Sequence, residues 1–439
     1  MKRIIFLIIG FVVVTGIAWG GIFYWKNLRG AGPAWRAPGG DIAELLTPPP
    51  QEGRSAVLHV PPSGGQAPAL HDGEGGNTTG MPLKLPPGFS IEVFAKDLPG
   101  ARVMALDHNA NLWVTQTSQN KITQLFVGNG KSGRQEYTRF GEGKDFRRPH
   151  GIVFNRNKLY LAEEDRVSII LLETEQSESR TIINLPTGGH HTTRTLGFGP
   201  DGRLYVSIGS SCNVCNEKDP RRAAIYVVDI ENKKLIPYAS GLRNSVFFTW
   251  SYVDGKMWAT EMGRDMLGDD LPPDEINIVS LPPPLTPPRA GGEKVVPDFG
   301  WPICYGKNIH DSVFDKNQYI RDPCADRVPS YIDLPAHSAP LGLAFIPEEG
   351  WPEEYWYDLL VAFHGSWNRS EPTGYKVVRF PLNSQGQPEG EPEDFISGWL
   401  QKDGTALGRP VDIIAQPGGV LYISDDKAGV IYKATYSHL

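Results

Sequence analysis

Asn111-Leu112-Trp113-Val114-Thr115, Lys158-Leu159-Tyr160-Leu161-Ala162, Arg203-Leu204-Tyr205-Val206-Ser207, Lys256-Met257-Trp258-Ala259-Thr260, Asp358-Leu359-Leu360-Val361-Ala362 and Val420-Leu421-Tyr422-Ile423-Ser424 are six versions of one phrase. Each follows a turn, enters an aliphatic residue, usually meets an aromatic, and continues through apolar or small residues. Most follow another apolar stretch ending in a turn, as in Leu196-Gly197-Phe198-Gly199-Pro200-Asp201-Gly202. Two short strands joined by a turn cannot bury their apolar face alone, so the unit must stack on copies of itself. Six copies predict an all-β, six-bladed β-propeller, whose axial channel is a natural place for a cofactor.

The phrases begin at Leu112, Leu159, Leu204, Met257, Leu359 and Leu421, so five spacings separate them: 47, 45, 53, 102 and 62 residues. The long fourth interval contains Leu281-Pro282-Pro283-Pro284-Leu285-Thr286-Pro287-Pro288, which cannot be a strand interior. It reads as an insertion on the loop face, where a rigid scaffold carries its function. Ser90-Ile91-Glu92-Val93-Phe94 reads as the first strand and Val430-Ile431-Tyr432-Lys433-Ala434 as the last. Pairing the two in one blade would close the ring and remove an exposed edge.

The chain has 439 residues, 40% hydrophobic and 21% charged, with a formal net charge of −7. These are ordinary globular values, and no basic stripe interleaved with aromatics offers itself to nucleic acid. The N-terminus is different. Lys2 and Arg3 precede an uncharged apolar run from Ile4 to Trp25. At the helical rise that run spans roughly 33 Å, enough to cross a bilayer. Residues 1–25 are therefore expected to form a single transmembrane helix that anchors the protein, with a cleaved signal peptide as the alternative. Residues 26–80 contain 8 Pro and 11 Gly and read as a flexible linker. The propeller is expected over 81–439, outside a bacterial inner membrane, in the periplasm or beyond it.

Four groups of residues carry chemistry. Gly188-Gly189-His190-His191-Thr192-Thr193-Arg194 combines a tight turn with imidazoles that take protons near neutral pH. Gly241-Leu242-Arg243-Asn244 sets a guanidinium beside an amide, a pair suited to a planar, oxygen-rich anion. Between Glu261 and Glu275 stand six acidic side chains among Gly and Pro, and hard cations such as Ca²⁺ want such oxygens. His364-Gly365-Ser366-Trp367-Asn368-Arg369, then Gly408-Arg409-Pro410, add cations from later blades. Each group has a plain structural reading as well: a backbone-bonded turn, a loop-capping Arg, a solvated acidic loop, rim cations. Of the four cysteines, Cys212-Asn213-Val214-Cys215 has no following His, which disfavours haem attachment. Two disulfides, Cys212–Cys215 and Cys304–Cys324, suit an external location. A zinc site using all four is the alternative.

Together these motifs, with Pro273-Asp274-Glu275-Ile276-Asn277 and Gly300-Trp301-Pro302, are similar to the sorbosone dehydrogenase group. They resemble the soluble quinoprotein aldose (glucose) dehydrogenases, six-bladed propellers that use pyrroloquinoline quinone (PQQ) and Ca²⁺. The resemblance runs from about Leu85 to Tyr436. It implies that His191 is the catalytic base, because its distance to Gly199-Pro200-Asp201 selects it over His190. It implies that Arg243 and Asn244 hold the quinone, with Arg369 and Arg409 as partners for its carboxylates. Gly263 and Arg264 match positions that give backbone oxygens to Ca²⁺, and Asp274 matches an acidic residue near metal and substrate. The aldose enzymes have Gly-Pro in that place, so Arg264 is a departure. With no nucleotide fingerprint and no haem motif, electrons would leave to a separate acceptor, a quinone or cytochrome. The sequence thus reads as a PQQ- and Ca²⁺-dependent dehydrogenase of an aldose or related, sorbosone-like aldehyde. A metal-dependent lactonase or hydrolase, and a non-catalytic sugar- or protein-binding propeller, are the rivals on the same fold.

Overall fold

The structure is a computed structural model and describes residues 76–126, 133–140, 145–172, 178–280 and 296–437. Among these, regular structure is β-strand apart from two 3₁₀ turns, Thr117–Gln119 and Glu353–Tyr355. Six four-stranded antiparallel sheets are arranged as the blades of a propeller. The repeated phrase forms the second strand of every blade: Leu112–Gln116, Lys158–Ala162, Leu204–Ile208, Met257–Glu261, Leu359–Phe363 and Val420–Asp425. These strands are buried along almost their whole length, which is why they read as continuous apolar runs rather than alternating ones. Trp113, Leu161, Trp258 and Val361 from four different blades share one buried cluster.

First strands of neighbouring blades touch one another around the axis. Contacts join Ala101–Leu106 to Ile152–Asn155, Ile152–Asn155 to Leu196–Phe198, and Pro340–Phe345 to Pro410–Gln416. Crowding there admits no side chain at some positions. A Cβ on Gly151 would stand 2.5 Å from the Arg194 carbonyl oxygen, and one on Gly342 would stand 2.6 Å from Asp412 Cα.

The ring is closed by the expected pairing. Phe89–Ala95 lies antiparallel to Val430–Tyr436, with Phe89 opposite Tyr436 and Ile91 opposite Ala434. The first described strand is thereby the outer strand of the sixth blade. Residues 76–80, assigned to the linker by composition, join this strand: Ile91 N donates to Gly76 O at 2.7 Å and Thr78 N to Ile91 O at 2.9 Å. The expected membrane helix over 1–25, and the linker as far as residue 75, lie outside the described residues. Among the described residues no helix is long and apolar enough to cross a membrane.

Second strands end at Gln116, Ala162, Ile208, Glu261, Phe363 and Asp425, all on one face. The loops that leave them open there, as do the loops running from each fourth strand to the next blade. Every site residue read from the sequence falls on one of these loops or beside it. The insertion joins Asp274–Val279 to Ile332–Leu334 in blade 4. Its Pro-rich part lies outside the described residues, but Asp298 bridges Ser240 at the end of blade 3. Beyond it a small ribbon pairs Cys304–Tyr305 with Ile309–His310, and a disulfide ties Cys304 to Cys324. The insertion therefore returns to the functional face.

Phe89 is buried against Trp351, Tyr355, Phe395 and Tyr436, with ring centroids 5.1–5.8 Å apart. Phe89→Ala removes this packing at the closure and should cost about 3–5 kcal/mol. Equilibrium unfolding in guanidinium chloride measures it, and a change under 1 kcal/mol would deny the closure its importance.

Candidate active site

The segment between blades 2 and 3 is braced from beneath by two arginines. Arg194, wholly buried, donates to the carbonyls of His191 (3.0 Å), Thr193 (2.7 Å) and Pro186 (2.8 Å). Arg222 donates to Thr187 O and Gly188 O at 2.7 and 2.8 Å. Glu164 accepts from Gly188 N at 2.8 Å. Gly189 has φ +83° and lies so close to Ser211 that a Cβ would be 2.6 Å from its Cα. The paired glycines are thus required by a left-handed turn and a close backbone approach.

This frame exposes His190 and turns His191 inward. His191 Nδ1 lies 3.0 Å from Ser210 O and 2.8 Å from Ser210 Oγ. The Ser210 hydroxyl donates its own proton to Cys212 O at 2.7 Å, so toward His191 it can only accept. Nδ1 therefore carries the proton and Nε2 the lone pair, the tautomer a general base needs. Burial, then the charges of Arg243 and His190, push the imidazole well below its ordinary pKa. It is neutral at pH 7.

Arg243 and Asn244 follow blade 3 and face the same place. A Cβ on Gly209 would sit 2.6 Å from His191 Cβ and 2.7 Å from Asn244 Oδ1, so one glycine separates the imidazole from the amide. Arg243 Nε donates to Asn213 O (2.9 Å), Nη2 to Asn213 Oδ1 (2.9 Å) and Asp265 Oδ2 (3.2 Å), and Nη1 to Met262 O (3.2 Å). Four of its five N–H groups are engaged, leaving one on Nη1 for a ligand oxygen among the described residues. Asn213 and Cys212 lie in the loop closed by the Cys212–Cys215 disulfide. Both disulfides expected from the sequence are formed, which overturns the zinc alternative.

The acidic segment does not form a carboxylate cage. Each side chain holds a different neighbour. Glu261 accepts from Asn244 N (2.8 Å) and Ser245 Oγ (2.5 Å), and Asp265 from Arg243 and Asn368. Asp274 accepts from Gly263 N (2.9 Å), Ala339 N (2.8 Å) and Ser338 Oγ (3.2 Å). Glu275 accepts from Gly306 N at 2.6 Å. Burial pushes Glu261 up to about 8, Glu275 to about 7 and Asp274 to about 6, against the hydrogen bonds that favour their charged forms. The reading of these carboxylates as converging metal oxygens is corrected accordingly: they tie loops together. Arg264 points away into a buried ion pair with Asp311, at 2.5 and 3.1 Å. For a cation this leaves the carbonyl oxygens of Gly263 and Arg264, which accept no hydrogen bond among the described residues. A cavity of about 30 Å³ beside them, lined by Arg243, Glu261, Gly263, Arg264 and Glu275, has room for a water or two.

Blades 5 and 6 supply a second cationic group. Arg409 donates from Nε to His364 O (3.0 Å) and from Nη2 to Gly365 O (2.6 Å), keeping three N–H groups without a partner among the described residues, with its guanidinium 5.6 Å from the Tyr375 ring centre. Arg369 is spent differently, on Asp269 O (2.5 Å) and Asp270 Oδ1 (3.0 Å), so it braces the acidic loop. His364 Nε2 meets Asp426 at 2.9 Å, and Asp426 also pairs with Arg102 at 2.7 Å. Burial would raise Asp426, but His364, Arg102 and Arg409 hold it well below the usual carboxylate range. Sequence reasoning missed Ser210, Asn213, Arg222, Asp311, Asp426 and Arg102. Only the spacing of Cys212 and Cys215 hinted at any of them.

Three comparisons bear on this geometry. The TrAA12-like family model matches residues 83–436. An uncharacterised protein of Borreliella burgdorferi is 30% identical over 375 residues, 81% of this chain and 92% of that protein. The pyrroloquinoline quinone-dependent pyranose dehydrogenase of Coprinopsis cinerea is 26% identical over 311 residues, 58% of this chain but only 40% of that protein. Among solved structures, the holo PQQ domain of that pyranose dehydrogenase aligns with a TM-score of 0.64 at 20% identity, covering 81% of this chain and 97% of that domain. The apo soluble aldose sugar dehydrogenase of Escherichia coli aligns at 0.58 and 16% identity, covering 80% and 100%. These last two show the fold. On the family match, which spans most of the sequence, and on the identity to the Borreliella protein, the chain belongs to the TrAA12-like family.

Proposed function

We propose that this protein is a PQQ-dependent dehydrogenase of an aldose or related aldehyde, sorbosone-like in its substrate, working with Ca²⁺ and passing electrons to a separate acceptor. The carrying observation is His191: a neutral imidazole with Nδ1 occupied by Ser210 and Nε2 open, one glycine away from Asn244 and Arg243. The pyranose dehydrogenase that is 26% identical over 311 residues is named for this cofactor.

The residues fit a planar tricarboxylate. Arg243 keeps one N–H free and Arg409 three, and the rigid backbone around them costs nothing to reorganise when an anion arrives. When bound, the quinone supplies the two-electron acceptor that no side chain offers. His191 Nε2 would take the proton of the substrate hydroxyl, or of the hydrated form of an aldehyde. Ser210 holds the ring in place while the charge forms on it. Arg243, already repelling that charge, would be offset by the anionic ligand it binds. Ca²⁺, if held, would rest on the carbonyl oxygens of Gly263 and Arg264, with Asp274 shaping the turn through Gly263 N rather than coordinating. The apolar run at Ile4–Trp25 and the two disulfides support a membrane-tethered enzyme facing an oxidising compartment.

The test is dye reduction by the full-length chain with PQQ and Ca²⁺, together and separately, over a panel of aldoses and aldehydes. Turnover should need the quinone and fall about 100-fold or more in His191→Ala with quinone affinity kept. Turnover with a divalent metal alone would give the site to a hydrolase. In the cofactor-free protein the His191 ring should stay neutral as pH drops through 6.5, because the fold disfavours its charged form. An NMR titration with a midpoint at 6.5 or higher refutes this. Gly209→Ala should weaken quinone binding at least tenfold by pushing apart His191 and Asn244, read by fluorescence titration.

A further inference from the structure

Arg148 stands in the loop that enters blade 2, one blade boundary before His191. Its φ is +50°, in the left-handed region that a β-carbon disfavours. Such backbone persists only where its surroundings hold it. Here Arg148 N donates to Asn120 Oδ1 at 2.8 Å, Thr117 Oγ1 to Pro149 O at 2.7 Å, and Glu164 N to Arg147 O at 3.0 Å. The side chain is aimed as well. Its Nε donates at 3.0 Å to the hydroxyl of Thr192, the residue after His191. The four N–H groups on Nη1 and Nη2 have no partner among the described residues.

This guanidinium sits among other cations. Burial lowers the pKa of Arg102, and the charges of Arg409 and Arg148 lower it further against the pull of Asp426. His150, fully buried two residues on, is pushed well below its ordinary value by burial and then by Arg102, with Arg194 and Arg148 adding to the effect. Among the described residues, Asp426 is the one carboxylate that pairs with a guanidinium of Arg102, Arg148 or Arg409. Asp412 and Asp425 are turned to backbone amides instead. Asp412 accepts from Met104 N (2.7 Å) and Ile413 N (2.8 Å), and Asp425 from Arg409 N (2.9 Å) and Ala428 N (2.8 Å). Like charges gathered this way favour the arrival of an anion. Taken round the ring, the order is Arg148, His191, Arg243. The base therefore stands between a guanidinium assigned to the quinone and one whose outer edge is unused.

We propose that Arg148 binds the substrate, and that the substrate is an acidic sugar whose carboxylate meets the outer edge of this guanidinium, as in a uronic acid. Two parallel N–H groups at a guanidinium edge match the two oxygens of a carboxylate. In a uronic acid the aldehyde carbon and the carboxylate lie at opposite ends of the carbon chain, so one end reaches His191 while the other is held. Arg243 and Arg409 stay with the quinone. The inference rests on the proposed function for its turnover, but not for its binding.

The experiment compares matched sugars that differ only at C6, glucose with glucuronate and galactose with galacturonate, and adds glucose 6-phosphate. It uses the full-length chain loaded with PQQ and Ca²⁺. The uronate should be favoured in kcat/KM by about 10-fold or more, mainly through KM, and the preference should shrink as salt rises. Arg148→Asn removes the guanidinium while tolerating the left-handed backbone, and should bring the ratio close to one with PQQ affinity kept. Arg148→Lys keeps the charge without the fork and should recover part of the preference. If Arg148→Asn does not fold, Thr192→Val, which releases the guanidinium, should lower the ratio several-fold in its place. No preference for the uronates, or a ratio untouched by these variants, overturns the proposal. So does loss of PQQ binding in Arg148→Asn, which gives Arg148 to the cofactor, and so does a preference for the 6-phosphate over glucuronate. If no quinone binds or none of these sugars turns over, calorimetry on the cofactor-free chain decides. Glucuronate should bind more tightly than glucose and lose that advantage in Arg148→Asn, and equal binding of the two overturns the proposal. Failure of quinone binding alone sinks only the functional reading.

Discussion

A ring of separate blades stays fastened only where strands from the two ends of the chain share a sheet. Here Phe89–Ala95 supplies the outer strand of a blade whose other three strands come from the C-terminus. That one pairing completes the sixth blade with a strand from the other end of the described chain and so fastens the ring. It also removes a strand edge that would otherwise recruit other chains. The inner strands then have no room to slide, since Gly151 and Gly342 already stand against neighbouring backbone. A closed and crowded barrel of blades is a rigid base for loops.

On that base the functional face is built largely by arginines turned inward. Arg194, Arg222 and Arg243 direct their donors at carbonyl oxygens of loops that have no ladder of their own. Irregular backbone is thereby held as firmly as strand, because every such carbonyl would otherwise be desolvated without a partner. Buried carboxylates do the complementary task for amide groups, Asp274 for Gly263 and Ala339, Glu275 for Gly306. The raised pKa values of these carboxylates follow from their burial, and their work is architectural.

Charge is distributed unevenly over the face. Near His191 burial keeps the imidazole neutral, and Arg243 is the charged side chain that adds most to that effect. Around blades 5, 6 and 1, His364, Asp426, Arg102 and Arg409 form a mixed cluster in which Asp426 stays ionised between two guanidiniums and His364 is held down to about 4. A neutral base beside one group and surplus donors in the other is a workable division for proton removal next to an anionic ligand.

Period and repetition alone determined the blades. A strand buried on both faces demands an unbroken apolar run such as Leu359–Phe363, and six such runs have few ways to be covered. The pairing of the terminal strands was legible for the same reason, since an edge must go somewhere. His191, Arg243 and Asn244 were legible as residue types in the right order. What only the tertiary structure decided is what each of them does with its hydrogen bonds. That Asp274 is held by three donors and Arg264 by Asp311, or that Asn213 steers Arg243, depends on partners 11 to 65 residues away in the chain. Local sequence carries no record of such distances, because donor and acceptor meet only once the ring has closed.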